Sequence, residues 1–446
     1  MKTPVQESRG KELPRTMEFR DVFFLAIGGQ APILSMLTYT AAVLIIVGQF
    51  SPISDLIGTI IVLFNGLVIF FLSRRFTSTG GYFTYAFYGL SKRLGLETGL
   101  LYTFYSVLYG SAYVAGSVFI INYILGIPVL LAFLVSIVPA AIFLILGIKP
   151  SAKYALVSAS IEVSVLVLIF IVSMISAHLR LYNPLDHIPS PKFLFLSILY
   201  AIGIPTGYGT MVPASGEVKK AEVNVGRAAI LVILVGGGLM ALVLYGMVDA
   251  SLVSGNVGFA TSSNVSVILF IKHLLGPVGI PVILITAISD GILATLSFMV
   301  ASSRNLFAMG LKGVLPSPLS YLRKNSPLLA GLATIVLYAA IVLPLLSVMG
   351  SFNAFLLLGA LAGMGNLFIH ISANFSLIKI NLDAMIRKGS EIVVASVAQF
   401  SSFVIIVYSI FVTKPMIAIT FLAFIVAAFA YTEGLGFTGY GKKALD

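Results

Sequence analysis

Apolar residues in this chain come in runs of about 20, the length a ~30 Å hydrocarbon core demands of a helix. Twelve such runs cover it: 22–47, 53–72, 97–123, 127–147, 154–177, 193–214, 227–248, 277–302, 328–347, 352–378, 391–412 and 415–432. With 59% of residues hydrophobic and 10% charged, no connection is long enough for a soluble domain. The expected fold is an all-α integral membrane domain of about 12 transmembrane helices, since a spanning segment must satisfy its backbone polar groups internally.

Two runs are broken in the middle by glycine and proline. One break is Gly28-Gly29-Gln30-Ala31-Pro32 in the first run, and the other is Gly203-Ile204-Pro205-Thr206-Gly207-Tyr208-Gly209 in the sixth. Each broken run heads a block of five. Unwound backbone at membrane depth is tolerated only where protein buries it or a wet cavity lies beside it. Breaks in matching places of two halves point to the binding site of a carrier. The domain reading follows: a cytoplasmic tail 1–21, a first five-span repeat 22–177, a second 193–380, two peripheral spans 391–432 and a tail 433–446. The repeat is one of architecture, not of sequence identity.

The net charge of +11 raises the question of a nucleic-acid partner, and its distribution argues against one. With both termini cytoplasmic, 23 of the 27 Lys and Arg fall on the inner side, leaving only Arg180, Lys192, Lys272 and Lys414 outside. That is the positive-inside bias of a multi-pass protein, expected here in the cell membrane. The charged start leads into a span too long for a cleavable signal, and residues 1–16 read as a short disordered leader. Residues 77–94 keep helical spacing and read as amphipathic, 249–276 as carrying a helix over the outer face, and 303–327 as a bent helix and loop.

Enzyme signals are scarce, and no cofactor is expected. The chain has no cysteine, and its four histidines (178, 187, 273, 370) lack any paired metal spacing. Gly436 to Lys443 nearly spells a phosphate-binding loop but lacks the Ser or Thr that would hold magnesium and the helix that should follow. Asn264-Val265-Ser266 is a glycosylation sequon of the kind that arises by chance.

The polarity of the breaks gives them chemistry. Span 1 resumes near Ala31–Ile33 with free N–H groups and a positive helix end, which suit a carboxylate. Pro32 fits that first turn, where its missing N–H costs nothing. Span 6 runs the other way, and its first half ends at 203–206 with free carbonyls, which suit an ammonium. A zwitterionic amino acid, or a related amine, is the expected small-molecule partner. Gly29, Gln30, Ala31, Pro32, Ile33, Gly203 and Thr206 are the candidate contacts at these ends.

Three further blocks carry a family resemblance. Thr79-Gly80-Gly81-Tyr82 with Tyr85 and Gly95, Gly216-Glu217-Val218-Lys219-Lys220 ending in Arg227-Ala228, and Arg304-Asn305-Leu306-Phe307-Ala308-Met309 with Gly313-Val314-Leu315-Pro316 and Ser326-Pro327 stand in the order and spacing of the amino acid–polyamine–organocation permeases. The chain resembles that superfamily from span 1 to span 10. The resemblance implies a leucine-transporter-like fold: two inverted five-span repeats plus two peripheral spans, with substrate between the breaks and walls from spans 3 and 8. By position it implies that Gly207 and Tyr208 form the span-6 Gly-aromatic pair, and that Tyr105, Ser106 and Phe298 are wall residues. Three departures stand out. The family's Gly-x-Gly-Ile falls on Pro32-Ile33-Leu34-Ser35, Pro205 replaces an aromatic, and Gly203 stands where some members carry a bulky gate. Small residues at 203 and 207 leave room for a large substrate side chain.

Three ionisable residues lie well within spans, where a charge is expensive. Glu162 in span 5 is read as the group that takes up and releases a proton, making the proton a co-substrate; the alternative is a permanently hydrogen-bonded structural glutamate. Asp290 in span 8 is a secondary candidate, lining an outer vestibule or capped by polar neighbours. His370 is another, at the centre of the stripe Asn366, His370, Asn374, either at the outer pathway or a gate or as glue between helices. Of the span-3 tyrosines 102, 105, 109 and 113, core packing accounts for all but Tyr105. The reading is a proton-coupled secondary-active amino acid transporter working by alternating access. An exchanger of amino acids or polyamines without ion coupling, sodium coupling, and a non-transporting sensor or scaffold on the same fold remain the alternatives. Which amino acid is carried and the oligomeric state are not read from the sequence.

Overall fold

A computed structural model of the protein describes residues 12–255, 265–384 and 388–438. Asn264 of the sequon and positions 439–443 of the glycine-rich tail segment lie outside the described residues. The first apolar run is three helices: α1 (Phe19–Gln30), α2 (Pro32–Leu37) and α3 (Tyr39–Val47). Glu18 and Asp21 form a reciprocal capping box at the start of α1, satisfying two of the donors a helix N-terminus leaves free. Its end is set by Ala31, a non-glycine residue in the left-handed region (φ 49°). Pro32 opens α2 at its first position, as the sequence leads one to expect. A second interruption at Thr38 goes with a back-bond from its hydroxyl to the Leu34 carbonyl, a contact that bends helices.

The rest follows in order: α4 (Ser51–Ser73), α5 (Tyr82–Gly89), α6 (Lys92–Leu125), α7 (Val129–Leu146), α8 (Ile148–Ser176), α9 (Pro191–Ala201), α10 (Ala221–Val253), α11 (Ser266–Leu275), α12 (Gly279–Leu311), α13 (Leu328–Met349), α14 (Ser351–Leu382), α15 (Gly389–Val412) and α16 (Pro415–Gly436). Among the described residues, ten continuous helical stretches are long and apolar enough to cross a membrane. The pieces α1, α2 and α9 are too short to do so alone. Among the described residues, strand is confined to one antiparallel pair of two-residue strands, 322–323 with 326–327.

The centre of the bundle is α6 packed against α12 and α14, with α1 set among α8, α10 and α12. Layering follows apolar patterning: 89% of the most apolar stretch of α6 is buried inside the protein, against 28% of that of α16. The Lys and Arg clusters gather on one face, where Arg15 reaches Thr77, Lys379 reaches the Leu90 carbonyl, Arg75 pairs with Glu391 and Arg93 with Glu433.

Three local expectations are corrected. The leader is not loose up to residue 16: Leu13 and Met17 are buried, and the amides of Thr16 and Met17 both donate to the Glu217 carbonyl while Lys219 N–H returns to Met17. The segment 303–327 is not a bent helix of its own: α12 runs on unbroken to Leu311 and the chain turns at Gly313 (φ 71°). Span 6 has no second α-helical half. Beyond α9 it proceeds through turns and 3-10 helix at Tyr208–Met211 and Ser215–Glu217. Pro205 and Pro213 supply no N–H, and Gly203, Gly207 and Gly209 give up helix propensity.

Candidate functional site

The two breaks meet. A Cβ placed on Gly207 would lie 1.9 Å from the Gln30 amide nitrogen and 2.1 Å from the Gly29 carbonyl carbon. A Cβ on Gly29 would meet Thr210 at 2.7 Å and the Gly207 carbonyl at 2.9 Å. Glycine at both positions lets the backbones of spans 1 and 6 touch. The Gln30 side chain then ties the crossing together, its amide donating to the Pro205 carbonyl at 2.9 Å and to the Val232 carbonyl of α10 at 2.8 Å.

Two of the span-6 carbonyls expected to face an ammonium, Gly203 and Pro205, carry side-chain partners. The Tyr109 hydroxyl donates to Gly203 and the Thr206 hydroxyl to Ile202, while Gln30 takes Pro205. The span-1 amides expected to face a carboxylate are likewise taken. Leu34 N–H donates to Asp290 Oδ2 at 2.7 Å, and the Ile33 amide points to the same carboxyl group. With Pro32 lacking an N–H and Ser35 N–H returning to Ala31, Asp290 holds the free amides of that first turn. Asp290 is wholly buried, so it caps α2 and does not line a vestibule.

Glu162, also wholly buried, approaches the same carboxyl group from α8. Its Oε1 accepts from the Ser158 hydroxyl at 2.5 Å. Neither acid has a Lys or Arg within ion-pair distance among the described residues. The two carboxyl groups thus lie together without a counter-ion among the described residues.

The wall residues sort unevenly. Tyr105 and Phe298 stand edge to face at 5.9 Å, and Tyr109 and Tyr113 pack on the same Phe298 ring. Ser106 does not reach the breaks. Its hydroxyl pairs with Ser302 at 2.7 Å and its carbonyl accepts from Tyr338, which joins α6 to α12 and α13. The space left by Gly203 is filled from elsewhere: a Cβ there would lie 2.9 Å from the Tyr109 hydroxyl and 3.0 Å from the Tyr39 ring. The room expected at 203 and 207 is therefore occupied by Tyr39, Tyr109 and the Gln30 backbone.

His370 lies toward the basic face, not the outer pathway. Its Nε2 meets the Tyr208 hydroxyl at 2.6 Å and that of Tyr82 at 3.2 Å. Asn366 touches Thr206 at 3.5 Å, whereas Asn374 bonds Asn65 of α4. The stripe is thus divided between span 6 and helix glue.

Core packing does not account for the tyrosine ladder of α6. Tyr102 donates to Gly209, Tyr109 to Gly203 and Tyr113 to Gln30 at 2.8 Å. The spacing of 102, 105, 109 and 113 puts these tyrosines along one side of α6. Only the fold shows that this face looks onto both breaks.

The three blocks 79–82, 216–220 and 304–309, far apart in sequence, converge on the basic face. Gly80 N–H donates to Pro213, and a Cβ on Gly216 would lie 2.1 Å from the Thr79 hydroxyl. Arg304 and Glu217, each 1% exposed, form a two-point ion pair at 2.7 and 3.4 Å.

Among known proteins, the amino acid permease family matches residues 21–441. No curated protein matches the chain. The family is one of transporters and not of enzymes, and the match spans both breaks, all three blocks and every apolar helix described above. The chain belongs to the amino acid permease family, as a multi-pass membrane transporter of amino acids.

Proposed function

We propose that the protein is a secondary-active amino acid transporter that couples uptake to protons by alternating access. In this reading it crosses the cell membrane twelve times, each broken run counting once, with both termini in the cytoplasm and the two five-span blocks followed by two peripheral spans. Substrate lies where spans 1 and 6 cross, against Tyr105 and Phe298. The observation that carries the site is the crossing itself: the end of α1 at Gly29 and the unwound backbone of span 6 at Gly207 in contact, lined by one tyrosine face. An entering zwitterion exchanges with the internal partners, its carboxylate with Asp290 and its ammonium with the donors on Gly203 and Pro205.

Proton coupling rests on Glu162, a buried acid with no cation partner among the described residues. Intramembrane acids of this kind mark proton relays. Reconstitution into proteoliposomes tests the reading. Accumulation of a radiolabelled amino acid mixture should follow an imposed pH gradient, and Glu162→Gln should abolish that accumulation while sparing exchange. Uptake that ignores the gradient in the wild type, or that is unchanged in the variant, would refute the coupling.

A further inference from the structure

A chain of hydroxyls leads to the acid pair. Tyr154 of α8, only partly buried, meets Ser289, its hydroxyl 3.3 Å from Ser289 Oγ and donating to the Ser289 carbonyl at 2.9 Å. Ser289 Oγ is 2.5 Å from Ser158 Oγ, which donates to Glu162 Oε1. Glu162 then meets Asp290, the cap of α2. Glu162 Oε2 and Asp290 Oδ1 are the two buried oxygens of the pair that no donor satisfies. The other titratable side chains facing the pair are Tyr113 of α6 and Tyr154 itself.

Resting on the proton-coupled reading above, we infer that Tyr154, Ser289, Ser158 and Glu162 form a proton relay ending on Asp290, whose protonation releases α2 from α12. As Tyr154 accepts a proton its hydroxyl turns from the Ser289 carbonyl to Ser289 Oγ, 3.3 Å away; each hydroxyl then passes its own proton on as it accepts the next, so one proton enters at Tyr154 and one arrives on Asp290, with Glu162 reloaded behind it. A charged acceptor makes hydrogen bonds roughly twice as strong as a neutral one. Neutralising Asp290 therefore weakens its hold on the Ile33 and Leu34 amides, and the outer part of the broken span gains freedom to move. Asp290 is a positioning residue in this scheme: it acts through α2.

The test uses the full chain in proteoliposomes, with a radiolabelled mixture of the standard amino acids and pH set independently on each side. Asp290→Asn keeps an oxygen for the amides but cannot titrate; gradient-driven accumulation should disappear. Ser158→Ala should reach wild-type accumulation at least about tenfold more slowly, a barrier change of one decade, and Ser158→Thr should restore the rate. Because the chain has no cysteine, a spin label at Ile45→Cys on α3 reports the release directly. Its mobility should rise as pH falls in the wild type and stay flat in Asp290→Asn. If Asp290→Asn accumulates normally while Glu162→Gln does not, Glu162 acts alone; the relay endpoint is wrong and the proposed function stands. A wild-type rate in Ser158→Ala overturns the relay. A label whose mobility still rises with falling pH in Asp290→Asn overturns its assignment as a titrating cap.

Discussion

Breaking the Arg304–Glu217 pair should cost far more than removing it whole. Both side chains are 1% exposed, and the guanidinium makes two contacts with the carboxylate, the shorter at 2.7 Å. Removing one partner strands the other charge without water or counter-ion, a loss of about 3–5 kcal/mol. Against a total stability of about 5–15 kcal/mol, either Arg304→Met or Glu217→Leu alone takes a large share. Replacing both with apolar residues of similar volume removes the desolvation penalty along with the attraction, so the double variant should recover most of the loss. Denaturant titration of the purified protein in micelles, followed by tyrosine fluorescence since the chain has no tryptophan, gives the four corners of a double-mutant cycle. The expected coupling is above about 2 kcal/mol, within the range seen for residues in contact. A coupling below about 0.5 kcal/mol, the level of independent sites, would refute a buried, mutually dependent pair and with it the account of how the three blocks are clamped.

Two further substitutions probe the crossing. Gly207→Ala places a carbon on the Gln30 and Gly29 backbone, which cannot yield as a side-chain tip can. It should cost at least about 1–3 kcal/mol and abolish transport, while Gly238→Ala, with open space around it, should leave transport intact; wild-type uptake by Gly207→Ala would refute the contact. Tyr109→Phe leaves the Gly203 carbonyl with only the Thr206 amide at 3.2 Å. It should lose about 1 kcal/mol of stability without unseating the Tyr39 stack at 5.8 Å; an unchanged denaturation midpoint would show that the hydroxyl contributes nothing there.

Much of the architecture was written locally. Helix length is set by hydrocarbon thickness, so apolar runs announce their helices. Ala31-Pro32 announces a stop and a start, because proline opens a helix but cannot continue one. The failures share a cause. The break in span 6 implies a second helical half beyond it, yet the spacing of Gly203, Pro205, Gly207, Gly209 and Pro213 leaves 3-10 turns as the local solution. Leu13 and Thr16 fall in the stretch read as a loose leader because their partners, the Leu306 cluster and the Glu217 backbone, are some 200 or more residues away along the chain.

What the sequence determined by itself is the class of molecule and the position of its weak points. Periodicity, run length and glycine–proline content are short-range properties, and they locate the breaks at 28–32 and 203–209. Only the tertiary structure decided what each break faces. Asp290, 256 residues from Leu34, occupies amides that local reasoning left for a ligand, and Tyr109, 94 residues from Gly203, does the same for a carbonyl. Free helix ends are visible in one dimension, whereas the group that satisfies them is chosen by packing in three.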